Sequence, residues 1–206
     1  MVSPDGHIFI VNIPINASSY MHDWAKHYGW RTALAQNCTA VQRMYVLLRD
    51  PMERWVSGIA QYIKTYVLSV QGPNGPVYPD QPVTEQDYII SVEIFVQQYN
   101  DLVERLIVDN AARFDDHVWP QYEIIKDILP GVDRHYFRVD HDMEKKMRAV
   151  LGWGSIEGLD RNSGSANPDT RFLQDFFRQR LIIRPELSNR IQRHYLKDYE
   201  LLAHLA

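Results

Sequence analysis

The sequence predicts an α/β domain with a central, mostly parallel sheet and helices on both faces, and three observations lead there. Residues 7–13 and 44–48 are short, almost continuously apolar runs, the pattern of strands covered on both sides. Each run ends in a turn and is followed by an amphipathic helical pattern. A third short run, residues 134–139, also precedes a helix, and strands separated by helices call for parallel pairing.

Taken in order, the first run stops at Pro14, and Asn16, Ala17, Ser18 and Ser19 suit a tight turn with a helix N-cap, so a helix is expected from Ser19 to about Tyr28. The second run leads into Arg49-Asp50-Pro51. Proline is tolerated in the first turn of a helix, and Trp55, Ile59, Tyr62, Ile63 and Tyr66 then recur at spacings of three and four, which places a helix as far as about Val70. Residues 71–82 hold four prolines and two glycines and read as a loop suited to a lid. Helical patterns follow at 84–109, where Thr84 and Asp87 resemble a capping box, and at 142–151, ended by Gly152. The last two, 169–180 and 186–205, come after a polar loop at 160–168. Phe172, Phe176, Phe177, Tyr195 and Tyr199 have helical spacing and read as core.

The chain of 206 residues, 45% apolar, suffices for one domain spanning 1–206 with a sizeable core. A formal charge of −4 argues against a general nucleic-acid binder, which needs a basic surface to displace counterions. The single cysteine, Cys38, excludes an intramolecular disulfide and a cysteine-based zinc site. No window approaches the roughly 20 apolar residues of a membrane span. These features predict a soluble, cytoplasmic protein with neither membrane nor nucleic acid as partner, and no cluster of metal ligands stands out.

In parallel sheets, ligands sit at the carboxyl ends of the strands, beside the following helix N-termini. At the first exit, loop and helix N–H groups suit an anion, with Ser18 and Ser19 as hydroxyl donors. The same segment also reads as an ordinary capped strand–helix joint. At the second exit, Arg49, Asp50, Pro51, Arg54 and Ser57 spell R-D-P-x-x-R-x-x-S across a strand end and two helical turns. Arg49 offers a planar fork of donors suited to a phosphate, and Ser57 a further hydroxyl.

These two exits, about 35 residues apart, resemble the 5'-phosphosulfate loop and the 3'-phosphate motif of sulfotransferases that use 3'-phosphoadenosine 5'-phosphosulfate (PAPS). The first loop, Pro14-Ile15-Asn16-Ala17-Ser18-Ser19, is similar to the P-K-N-A-S-S form of carbohydrate-type members. Asp116-His117-Val118-Trp119-Pro120-Gln121 is similar to their H-W-x-P-Q segment with Val118 inserted. Tyr136-Phe137-Arg138-Val139-Asp140, leading to Leu151-Gly152, and Arg161-Asn162-Ser163 match further stations of that family.

The resemblance implies a three-layer fold of the P-loop type with PAPS as co-substrate and no metal, acting on a hydroxyl acceptor that is a small molecule or a carbohydrate. It implies that Asn16, Ala17, Ser18 and Ser19 hold the 5'-phosphosulfate, that Arg49 and Ser57 hold the 3'-phosphate, and that Arg161 closes on the nucleotide. Histidine has a pKa suited to taking a proton at neutral pH, which makes His117 the leading general base, with His22, Asp23, Asp115 and Asp116 as alternatives. Trp119 is a candidate for stacking on a sugar ring or for core packing.

The departure is Ile15, where the family has a lysine that stabilises charge on the leaving group. Losing such a stabiliser typically costs about 10² to 10³ in rate. Lys26, Lys64 and Arg161 are candidate substitutes. The alternatives are therefore a catalytically impaired nucleotide-binding protein of the same fold and, less favoured for want of a Gly-Lys-Ser/Thr loop, a P-loop kinase.

Overall fold

The computed structural model describes residues 1–62, 70–72, 75–77, 116–154 and 168–205. The helical pattern at 84–109, Lys64, Asp115 and the loop around Arg161 lie outside them. In chain order the elements are β1 (Ile8–Val11), α1 (Ser18–His27), β2 (Arg43–Leu48), α2 (Pro51–Tyr62), β3 (Val70–Gly72), β4 (Gly75–Val77), α3 (Gln121–Ile125), β5 (Asp133–Arg138), α4 (Met143–Leu151), α5 (Pro168–Ile183), α6 (Pro185–His194) and α7 (Leu196–Ala203). They divide between two compact units. The first takes in the described residues of Met1–Arg54, Pro120–Asn162 and Tyr195–Ala206, the second those of Trp55–Trp119 and Ser163–His194.

The first unit is α/β. Its sheet has the order β1-β2-β5, all parallel, with Ile8 to Val11 in register with Arg43 to Val46 and Arg43 to Leu48 in register with Asp133 to Arg138. Alternation of side chains sends Ile10, Tyr45, Leu47 and Phe137 to one face, where Met21 and Trp24 of α1 and Met143 and Met147 of α4 cover them. Phe9, Val11, Met44, Val46 and Leu48 point the other way, onto Ile125 of α3 and Leu202 of α7. Both faces of β2 are thus buried, which accounts for its continuous apolar run. Trp153 closes the first face, stacked on Tyr28 and edge-on to Trp24 and Trp30.

Most predicted elements of this unit appear within a residue or two of the expected bounds, but two differ. The first strand is shorter than 7–13, because β1 separates from β2 after Val11. Residues 186–205 form two helices, broken at Tyr195.

In the second unit, Trp55 of α2 meets Phe177 of α5 edge-on at 5.7 Å. Residues 71–72 and 75–77, expected as part of a loop, and Val70, expected as the end of a helix, pair as an antiparallel ribbon with Pro76 opposite Gln71. A two-stranded ribbon consists of edges alone, so a proline that cannot donate to a ladder is accommodated there. Gly58 of α2 faces the backbone of His117: a Cβ added at position 58 would lie 2.5 Å from the His117 carbonyl oxygen.

That contact decides between two opposing effects of Gly58→Ala. Helix propensity favours alanine by about 1 kcal/mol, whereas forcing an atom against backbone costs about 1–3 kcal/mol. The variant is expected to have a lower melting temperature than wild type, which thermal unfolding followed by circular dichroism will check.

Candidate functional site

The carboxyl ends of β1 and β2 meet in the first unit, and the loop between β1 and α1 is built on two left-handed residues. Ile15 has φ 68° and Ala17 φ 57°. Such a conformation is unusual for any residue with a Cβ and is a marked outlier for a β-branched one. The Asn16 N–H between them is taken by the Ile13 carbonyl at 3.1 Å, so the loop's donors for an anion are those that follow it. Ala17, rather than a serine, is the N-cap of α1, and no side chain caps the helix. Among the described residues, the backbone N–H groups of Ala17 and Ser18 and the Ser18 hydroxyl have no hydrogen-bond partner.

Asn16 lies beneath this loop, 1% exposed. Its Nδ2 donates to the Leu47 carbonyl oxygen at 2.7 Å and to Gln121 Oε1, while its Oδ1 has no hydrogen-bond partner. One amide contact therefore braces the loop against β2 and the other against Gln121 of α3. Arg49 ties the second exit to the first, since its Nη1 donates to the Ile15 carbonyl oxygen at 3.2 Å. Asp50 caps α2: its Oδ1 accepts from the N–H groups of Met52 and Glu53, both at 3.0 Å.

Gln121 holds the two exits together. Its Oε1 accepts from the Arg49 N–H and its Nε2 donates to the Arg49 carbonyl oxygen, both at 2.9 Å. A side-chain amide here takes the place of a neighbouring strand. Gln121 is itself held by Asp198 of α7, whose Oδ2 accepts from the Gln121 backbone N–H at 2.8 Å and whose Oδ1 accepts from Tyr122 N–H at 2.7 Å. Asp198 and Arg54 are both fully buried. Burial raises the Asp198 pKa above the ordinary carboxylate value, against the hydrogen bonds from Tyr122 and Gln121 and the positive charge of Arg54, which favour the anion. Burial also raises Tyr195, and pushes Tyr199 up to about 12 with help from the charge of Asp50.

The structure thus brings Asn16, Ala17, Ser18 and Arg49 into one region, with Ser19 as the second residue of α1. Ser57 belongs to the second unit, where it is buried and its hydroxyl accepts from Gln174 Nε2 at 3.3 Å. His117, in the same unit, is partly exposed, with Nδ1 3.3 Å from Asp116. Trp119 is 38% exposed, so it is not core. Arg161 lies outside the described residues. No group of three or more His, Cys, Asp or Glu among the described residues is placed to hold a metal, and no described helix is long and apolar enough to cross a membrane. Sequence reasoning overlooked Asp198, although a signal was present: it shares a helical face with the buried Tyr195 and Leu202, so a carboxylate there points inward.

Two outcomes follow from this network. Gln121→Leu leaves the partly buried Arg49 backbone groups and the buried Asn16 without their partner, at about 1–3 kcal/mol for each group left unsatisfied away from water. Urea unfolding is expected to show a loss of about 3 kcal/mol. For Asp198, the folded-state pKa lies above the unfolded one, so between the two the folded chain holds more protons and stability falls as pH rises. Unfolding free energies measured from pH 4 upward should therefore decline for wild type relative to the non-titrating Asp198→Asn; a rise would contradict the burial-dominated environment.

Compared with protein-family models, curated proteins and solved structures, the chain matches none.

Proposed function

We propose that the chain binds a PAPS-type nucleotide at the carboxyl ends of β1 and β2 and transfers its sulfuryl group to a hydroxyl acceptor, a small molecule or a carbohydrate. The observation that carries the reading is the juxtaposition of unpaired donors at Ala17 and Ser18 with Arg49, which is tied to the same loop through the Ile15 carbonyl. Donors at a helix N-terminus favour an anionic group, and an arginine beside them adds a fixed positive charge. The sequence resemblance supplies the identity of that anion. The three-stranded parallel sheet is compatible with it, and the sulfotransferase-like three-layer fold of the P-loop type is part of the proposal.

In the transfer step, the acceptor oxygen attacks sulfur, the bond from sulfur to the bridging phosphate oxygen breaks, and 3'-phosphoadenosine 5'-phosphate departs. The acceptor proton goes to a base, for which the resemblance offers His117. Stabilising charge on the departing phosphate falls to the loop N–H groups and Ser18, since position 15 carries no cation. This favours a slow enzyme, and Ile15 is the specific observation behind a second reading, a nucleotide binder without transfer activity.

Calorimetric titration with 3'-phosphoadenosine 5'-phosphate, with adenosine 5'-phosphate as control, tests the site. Micromolar binding that needs the 3'-phosphate and weakens at least about tenfold in Arg49→Ala is expected, since a charge-assisted hydrogen bond contributes about 1.5–3 kcal/mol. Equal binding of both nucleotides, or none, would remove the proposal. A gain in transfer rate of about 10² in Ile15→Lys distinguishes a slow enzyme from one with a substitute cation, and His117→Ala should abolish transfer without altering nucleotide affinity.

A further inference from the structure

Away from the strand exits, the first unit carries a second concave site. A cleft of about 320 Å³ is lined by Met1, His22, Lys26, Trp30, Arg31 and Thr32. That volume lies at the small end of ligand pockets. His22 and Lys26 are one helical turn apart on α1, so they share a face. Arg31 and Thr32 come from the segment after the helix. The Arg31 backbone is fixed by exchange of hydrogen bonds with Val2, Val2 N–H donating at 2.9 Å and Arg31 N–H at 3.1 Å. Trp30 forms a largely buried wall, backed edge-on by Trp153 at 5.3 Å.

The charge in this cleft is unbalanced. Among the described residues, neither Lys26 nor Arg31 has an ion-pair or hydrogen-bond partner for its side-chain cation. Asp23 lies 3.5 Å from His22 and pairs with neither cation. Elsewhere in the unit, Lys126 pairs with Glu123 and Lys146 with Asp140, while among the described residues Arg43 and Lys145 stand alone on the surface; what sets Lys26 and Arg31 apart is that they line one cleft. The C-terminal end of α1 accounts for Lys26, because a cation there complements the helix dipole. It does not account for Arg31, which lies beyond the helix and brings a second positive charge to the same cleft. In a chain with a formal charge of −4, two unopposed cations lining one small concavity amount to a local anion site.

We propose that this cleft binds the phosphate group of a small phosphate monoester, with Lys26 and Arg31 neutralising the dianion, Thr32 donating a hydrogen bond, and Trp30 walling the attached organic part. The site is distinct from the strand exits: Lys26 is eight residues along α1 from Ser18, about 12 Å of helix.

The test is titration of the isotopically labelled full chain with inorganic phosphate at constant ionic strength, with chloride as control and backbone amide shifts as readout. Saturable shifts centred on Lys26, Arg31 and Thr32 are expected with phosphate and absent with chloride. The double variant Lys26→Gln/Arg31→Gln, both at exposed positions, should bind at least about tenfold more weakly, because both charge-assisted contacts to the phosphate are lost. Arg49→Ala should leave the response at this cleft unchanged, which separates it from the proposed nucleotide site. Shifts that rise linearly without saturating, wild-type affinity in the double variant, or loss of the response in Arg49→Ala would each overturn the proposal.

Discussion

Where β1 parts from β2 after Val11, the backbone of β2 runs on, and the carbonyl of Leu47 and both polar groups of Arg49 face an edge that no strand covers. Leaving such groups buried and unpaired costs about 1–3 kcal/mol each. Asn16 and Gln121 supply side-chain amides in place of the missing strand. An amide is suited to this because it carries a donor and an acceptor side by side, as a peptide group does. The geometry of both strand exits rests on that substitution. Asp198 fixes Gln121, and the buried charge of Arg54 offsets part of the cost of keeping Asp198 ionised.

How far this arrangement can be read in the sequence depends on the range of the forces involved. β2, α1 and α4 are legible because burial on two faces, amphipathic spacing and the Gly152 stop act over a few residues. The parallel order follows from their alternation. The pairing of Asn16 with Gln121 spans 105 residues and leaves no local pattern. The point where β1 leaves the sheet is equally hidden, since Asn12 and Ile13 continue the run and tertiary contact alone decides it. The ribbon of 70–72 and 75–77 was obscured by proline and glycine, which normally mark a loop but are tolerated on free edges.

The motif R-D-P-x-x-R-x-x-S divides along the same lines. Its members share a strand end and a helix, yet each has its own work in the fold: Arg49 ties a loop, Asp50 caps a helix, Arg54 faces Asp198, and Ser57 meets Gln174. Structural duties and ligand contacts draw on the same residue types, because both require strong hydrogen-bonding groups near chain reversals. Ile15 shows the opposite case. Its side chain offers no polar group, and a left-handed backbone at a β-branched residue costs on the order of 1–3 kcal/mol. Arg49 and Asn16 hold that conformation from either side.

The reliance of Gln121 on Asp198 also carries a consequence for the order of assembly. Leu47, Arg49 and Gln121 leave the ribosome well before Asp198, which is 77 residues beyond Gln121. Until α7 docks, the short helix that carries Gln121 lacks acceptors for its first N–H groups, so the carboxyl end of the sheet closes last. Contacts so distant in sequence slow folding, because the intervening chain loses its freedom before they form. Fraying of α7 in the finished protein would reopen the same end of the sheet, giving the amide proton of Arg49 an exchange rate governed by a helix that it never touches.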